Sequence, residues 1–488
     1  MNTSIEQLAA GNKFWQYFFK ICSIPHPSGH EAQLRDYLIR EACSYNLQYR
    51  VDKAGNLAID RAAAPGCEQY PSIILQAHLD MVPQVAENVV FDFLRDPIRP
   101  QVEGDWVTTG GRTTLGADDG IGVALAMELL TTNDLRCGKL RAVFTVSEET
   151  GLGGAEDIDP DFLDADVLFN LDSDVPFTIG CAGSSRFEGH RILESQPSPA
   201  EVMGIKINLG GMQGGHSGVD IHRNVGSAAK AALQIVKDLS ELGFALSSVQ
   251  SGTLYNAIAR EAEITGILPP EALAAAISRL EKYANALNST LEPAAGKRIT
   301  VQLEQLPAVP EQILTAAACQ DLLEVWEQLP HGLLSVCADN SSETSCNLAA
   351  VHGESGGDWG FILLARSLFD AKRIAVTDSA LQLLHDHKFS GEVDSAYCSW
   401  EPKWDAPLLK FACDIYRELT GEEAARYVIH GGLEPGLFSG MNPRLQMLSF
   451  APSTQSVHSP QEKLSIPSVE MTRKLLRNLC EKLSGDIL

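Results

Sequence analysis

Three short apolar runs end in imidazole or carboxylate side chains, and they restrict the fold more than any other feature of the chain. Ile73-Ile74-Leu75-Gln76-Ala77 stops at His78-Leu79-Asp80, and Arg141-Ala142-Val143-Phe144-Thr145-Val146 stops at Ser147-Glu148-Glu149. Val167-Leu168-Phe169-Asn170-Leu171 stops at Asp172. Such runs are too short for core helices and read as buried strands. In an open α/β sheet the carboxyl ends of the strands form the edge where ligands bind. Residues far apart in sequence would therefore meet at that edge.

The rest of the chain fits around this sheet. A helix pattern follows Gly120, through Ile121, Val123, Ala124 and Leu125 to Leu130. With 488 residues the chain exceeds one ordinary core, so two domains, or one domain with a large insertion, are expected. Beyond residue 185 strand signals at 203–209, 262–268, 299–303, 346–352 and 361–367 alternate with helix signals at 226–242, 270–287, 310–328 and 381–385. We read residues 1–185 as the first part of one domain, 186–398 as an inserted α+β domain and 399–488 as the return to the first domain. Helices at 408–419 and 468–483 flank a loop-rich stretch from His430 to Gly436 and a loop carrying His458.

Composition excludes several functions. A formal net charge of −25 disfavours nucleic acid, whose phosphates it would repel. No apolar stretch approaches the roughly 20 residues of a membrane span. The Phe14–Phe19 run reads as the inner face of a helix, not as an export signal. The eleven cysteines form no C-x-x-C pair and lie mostly in apolar segments, the pattern of reduced thiols in the cytoplasm.

His78, Asp80, Asp118, Glu148, Glu149, Asp172 and His458 are the candidate metal-site residues. Each alone has an ordinary structural explanation. Asp118-Asp119 in Gly-Ala-Asp-Asp-Gly could cap a helix, and His458 could be a surface loop residue. Together they would crowd carboxylates into one cleft, which is unfavourable without cations. A mixed imidazole and carboxylate set suits zinc, with manganese or cobalt as substitutes.

The series His78-Leu79-Asp80, Gly116-Ala117-Asp118-Asp119-Gly120, Glu148-Glu149, Asp172 and His458 resembles the di-zinc peptidases of the M20 superfamily. Ile21–Ser28, Leu75–Pro83, Thr113–Asp118, Gly214-Gly215-His216-Ser217-Gly218 and Ile429–Gly436 make it most similar to the aminoacyl-histidine dipeptidase branch. The resemblance implies an α/β catalytic domain with a mixed central sheet flanked by helices, plus an inserted lid that can dimerise. It implies two zinc ions per subunit, with Asp118 bridging, His78 and Asp172 completing one site, and Glu149 and His458 the other. By the same resemblance Asp80 holds His78, Glu148 is the general base for a metal-shared hydroxide, and His216 polarises the substrate carbonyl. Asn256, Arg366, Gly432 and Glu434 would contact substrate, and the Asp118-Asp119 peptide would be cis.

The expected activity is hydrolysis of dipeptides, with a preference for Xaa-His substrates. An N-acyl amino acid deacylase or aminotripeptidase would use the same machinery, and a non-catalytic peptide binder is the reading from another class. Retention of Glu148 and of every ligand argues against the last. Two departures from the branch pattern stand out: Asp119 where Asn is common, and Ser184-Ser185-Arg186 after Cys181-Ala182-Gly183.

Overall fold

The computed structural model describes residues 4–173 and 176–487. The chain divides into two compact units, one formed by Met1–Cys181, Trp400–Val428 and Leu433–Leu488, the other by Ala182–Ser399 and Ile429–Gly432. The boundaries expected near 185 and 398 fall at 181/182 and 399/400. The short excursion at 429–432, which puts part of the His430–Gly436 stretch in the second unit, has no counterpart in the sequence reading.

The first unit is built on an eight-stranded mixed sheet. In spatial order its strands are Gln48–Val51, Leu57–Arg61, Leu140–Thr145, Ile73–His78, Val167–Asn170, Gln446–Ser449, Phe177–Cys181 and Arg426–Ile429. The four from Leu140–Thr145 to Gln446–Ser449 run parallel, with His78 level with Thr145 and Gln76 level with Asn170. This register brings the carboxyl ends of the three apolar runs to one edge. Every residue of Ile73–His78 and Leu140–Thr145 is buried, as strands covered on both faces require.

Helix Lys13–Cys22 buries Phe14, Trp15, Tyr17, Phe18, Ile21 and Cys22, and packs on helix Ala117–Thr131. The latter is buried on almost every side and also packs on Ile73–His78. Its opening is irregular. Gly116 is left-handed (φ 69°), Asp118 and Asp119 have non-helical torsions, and the peptide between them is cis. Regular helix therefore starts at Gly120, where the apolar pattern placed it. A small four-stranded sheet, ordered Thr454–Gln455, Lys463–Ser465, Trp106–Thr108 and Gln101–Glu103, holds the His458 loop as a hairpin.

The second unit contains a nine-stranded antiparallel sheet and its own core. Strand Met203–Gly210 alternates, burying Ile205, Ile207 and Leu209 and leaving Lys206 and Asn208 more open. Helices Ala228–Ser240 and Asp370–Asp386 pack on this sheet. The helix expected over 310–328 begins only at Ala316, because Gln312–Leu314 pairs as a strand with Ser195–Pro197 and Thr315 caps the helix. The loop-rich reading of 430–436 also needs correction, since a helix opens at Glu434 and runs to Met441.

Candidate metal centre

Asp118 lies at the centre of the cluster in the first unit. One of its oxygens, Oδ1, is 3.1 Å from His78 Nε2, and the other, Oδ2, is 3.2 Å from His458 Nε2. On the His78 side Asp172 Oδ1 stands 3.8 Å from the same imidazole nitrogen. On the His458 side Glu149 Oε1 approaches to 2.8 Å. Two imidazoles and three carboxylates thus form two donor groups that share one bridging carboxylate. His458, in left-handed backbone (φ 59°), is the one half-exposed member.

The donor set fits divalent cations. Glu149 Oε1 is buried and, apart from its 2.8 Å approach to His458 Nε2, makes no hydrogen bond. Ligand atoms of His78, Asp118 and Glu149 lie within 4.8 Å of one another, as do those of His78, Asp119 and Asp172. Asp119 is nevertheless committed elsewhere: its carboxylate accepts from the amides of His78 (3.2 Å) and Gly122 (2.9 Å). It is a brace, and Asp118 is the donor common to both groups.

The electrostatics show how much these groups compensate one another. Burial alone would lower the pKa of His78, but Asp118 and Asp80 outweigh it and hold the ring well above its ordinary value. Hydrogen bonding to Asp118 and Glu149 lifts His458 to about 10. Asp118, despite burial, is held far below the usual carboxylate range by the two imidazoles. Burial, reinforced by the Asp118 charge, pushes Asp172 well up. Burial also pushes Glu148 up to about 8, with Glu434 and Glu149 acting in the same direction against His78. Without cations, then, the protein uses protons and imidazolium charge to neutralise a carboxylate-rich cleft.

Asp80 braces the two segments that carry His78 and Glu148-Glu149. His78 Nδ1 lies 3.0 Å from the Asp80 carbonyl oxygen and 3.5 Å from its carboxylate, so the backbone makes the closer contact. The carboxylate instead accepts from the amides of Glu148 (2.9 Å) and Glu149 (3.2 Å) and from the Ser28 hydroxyl (2.8 Å). Against burial, the hydrogen bond and charge of the His78 ring, together with the Ser28 and Glu148 bonds, hold Asp80 at about 2.

Glu434, read from the sequence as a substrate contact, is fully buried. Its Oε2 accepts from Gln76, which in turn accepts from Asn170 (2.6 Å). The geometry gives it a place behind the strand ends rather than on a wall that a peptide touches.

The second unit assembles another group of the sequence-derived residues. His216 pairs with Ala257 across a two-residue ladder, and Ser217 N donates to the Asn256 carbonyl (2.9 Å). His216 Nδ1 accepts from the amides of Gly218 (3.3 Å) and Val219 (3.2 Å). This assigns the ring proton to Nε2. Burial, then the Arg366 charge, lowers its pKa. Arg366 is buried and donates to Ser217 Oγ (3.3 Å) and Tyr397 Oη (3.1 Å). Gly432 lies against Tyr397, where a side chain would collide with the phenol oxygen. His430 bonds Ser345 Oγ at 2.7 Å. Tyr397 and Ser345 were not picked out from sequence, because lone hydroxyls in strands carry no spacing signal. Ser217 lies in the turn after His216 and enters the sequence reading only as part of that motif.

A model of peptidase family M20/M25/M40 matches residues 74–482. Over 474 residues the chain is 34% identical to the cytosol non-specific dipeptidase of Escherichia coli (strain K12), covering 96% of this chain and 97% of that one. The crystal structure of aminoacylhistidine dipeptidase from Vibrio alginolyticus is similar, with a TM-score of 0.85, 33% identity and 98% of both chains covered. A tripeptidase from Staphylococcus aureus shares the fold at a TM-score of 0.58 and 16% identity, covering 96% of this chain and 98% of that one.

Proposed function

The chain belongs to peptidase family M20/M25/M40, and from that premise we propose that it is a metal-dependent dipeptidase whose substrates include Xaa-His dipeptides. The observation that carries this reading is the Asp118 carboxylate, which offers one oxygen to each of two imidazole-containing donor groups. His78, Asp118 and Asp172 would hold one divalent cation, and His458, Asp118 and Glu149 the other, with zinc favoured by the donor chemistry. When bound, the cations supply a Lewis acid for the carbonyl oxygen and lower the pKa of water to about 7.

The chain's own residues supply the rest. Glu148 stays out of both donor groups and takes the proton from the attacking water, then returns it to the leaving amine. Asp80 fixes the backbone of 148–149 and so aims that carboxylate. The Nε2–H of His216 is set to donate to a carbonyl oxygen as negative charge develops there. Arg366, with two of its five N–H donors engaged by Ser217 and Tyr397, suits a peptide's terminal carboxylate. Asn256 and Gly432 belong to the same group. Glu434 supports Gln76 instead of touching substrate.

A cytosolic setting fits the name of the E. coli relative, and among the described residues no helix is long and apolar enough to cross a membrane. Dimerisation through the inserted unit belongs to the same proposal and is read by light scattering. A panel of Xaa-His and other dipeptides, tripeptides and N-acetyl amino acids tests the activity. Preferential cleavage of dipeptides is the expected result, and equal rates on tripeptides or deacylation alone would overturn it.

A further inference from the structure

Glu462 stands in the same hairpin loop as His458, between strands Thr454–Gln455 and Lys463–Ser465. Its side chain is buried, and among the described residues no cationic side chain pairs with it. Its carboxylate instead accepts from four consecutive backbone amides. Oε2 takes Leu115 N (2.7 Å) and Gly116 N (3.1 Å), and Oε1 takes Ala117 N (2.8 Å) and Asp118 N (3.3 Å).

Successive amides converge in this way where a left-handed residue turns the chain, which makes a concavity for an anion. Gly116 provides the turn at φ 69°, and a Cβ there would meet Met81 Sδ at 3.0 Å. The amides also include those at the irregular opening of helix Ala117–Thr131, which have no partners within the helix. The anion that fills the concavity comes from the chain itself, 344 residues beyond Asp118.

The connection has a consequence for the two groups that meet here. Asp118 Oδ2 and His458 Nε2 are 3.2 Å apart, although nothing local in the sequence joins them. His458 rides on a half-exposed loop in left-handed backbone. Glu462, four residues further on, clamps that loop to the amide of Asp118 itself. We infer that Glu462 is a positioning residue that sets the separation of Asp118 and His458 and thereby tunes the cation site they share with Glu149. A neutral hydrogen-bonding side chain would not replace it, because an amide offers a single acceptor oxygen and turns its NH₂ toward two backbone donors.

The inference rests on the two-cation reading above, and the test keeps the two separable. Glu462→Gln, Glu462→Asp and Glu462→Ala are compared with wild type by zinc titration of the chelator-stripped protein, thermal unfolding with and without zinc, and kcat and KM for a dipeptide. In Glu462→Gln one of the two zinc ions should bind about 10- to 100-fold more weakly, while the other keeps wild-type affinity. Excess zinc should restore kcat, with KM little changed, and Glu462→Asp should fall between wild type and Glu462→Gln. Glu462→Gln binding both ions as wild type does would overturn the inference. So would a loss of turnover that excess zinc fails to restore, which is the signature of a cap that serves the fold alone. If Glu462→Ala does not fold, the glutamine and aspartate variants still decide. Wild-type protein that takes up no zinc would defeat the two-cation reading itself, before any variant is compared.

Discussion

Asp118 presents its two oxygens to different imidazoles, and three of its neighbours are buried carboxylates held in place by backbone amides. Asp119 takes two amides, Asp80 two and Glu462 four. The three proposed carboxylate ligands and the carboxylates that brace them are therefore alike in chemistry and differ in what they contact. Glu148 differs from all of them, since it belongs to neither donor group. Glu148→Gln should keep the wild-type metal content by elemental analysis while kcat falls about 10²- to 10⁴-fold. Activity near wild type in that variant would remove Glu148 from the proton-transfer role.

A second residue-level prediction concerns protons. In the stripped protein His458 titrates at about 10 and His78 well above its ordinary value. These raised pKa values stabilise the folded state fully below the unfolded value of about 6.5. For His458 that contribution is lost as pH climbs through about 10. Zinc needs the imidazoles neutral, so its binding at pH 7 should release protons and tighten as pH rises. Calorimetry in buffers of different ionisation enthalpy reads the release directly, and a heat independent of buffer would contradict the charge arrangement.

At the scale of elements, the three apolar runs and their terminal residues were legible because each is a strand buried on both faces, whose sequence is nearly continuous in apolar side chains. The helix after Gly120 was legible for the same reason. Strands Ser390–Tyr397 and Gln48–Val51 were missed: both are mostly exposed, and their sequences carry no apolar alternation. The helix at Glu434 was hidden by Gly431, Gly432, Pro435 and Gly436, which read as loop although Pro is well tolerated in a first helical turn. The proposed ligands were marked out by motifs, but Glu462 was not, since its contacts are four backbone amides that no side-chain pattern marks. Packing of the Ala117–Thr131 helix gives a test at this scale. A Cβ on Gly122 would lie 2.5 Å from Asp119 Oδ1 and 2.9 Å from the Ala77 side chain. Gly122→Ala should cost about 1–3 kcal/mol by overpacking and weaken zinc binding by shifting Asp119. Urea unfolding and metal titration check both parts.

At the scale of the whole molecule, each unit has a large hydrophobic core of its own among the described residues, and all five proposed metal donors belong to the first unit. Cations that bind only the folded first unit add stability to that unit, about 2.7 kcal/mol when free metal is 100 times its Kd. Chelation should accordingly lower the calorimetric transition of the first unit and leave that of the second in place. A uniform shift of every transition would mean that the metal sites are not confined to the first unit. The acidic balance of the chain, −25 in formal charge, was legible from composition, whereas the 429–432 excursion was not, because it depends on pairings distant in sequence.

The central claim is that two cations, caged around Asp118, make this chain a dipeptidase. Elemental analysis of the purified protein, coupled to a dipeptide hydrolysis assay before and after chelation, tests it most directly. Two divalent ions per chain, hydrolysis that disappears with their removal, and recovery on adding zinc are the expected results. Hydrolysis that persists in fully stripped protein, or a chain that retains no divalent ion, would contradict the claim.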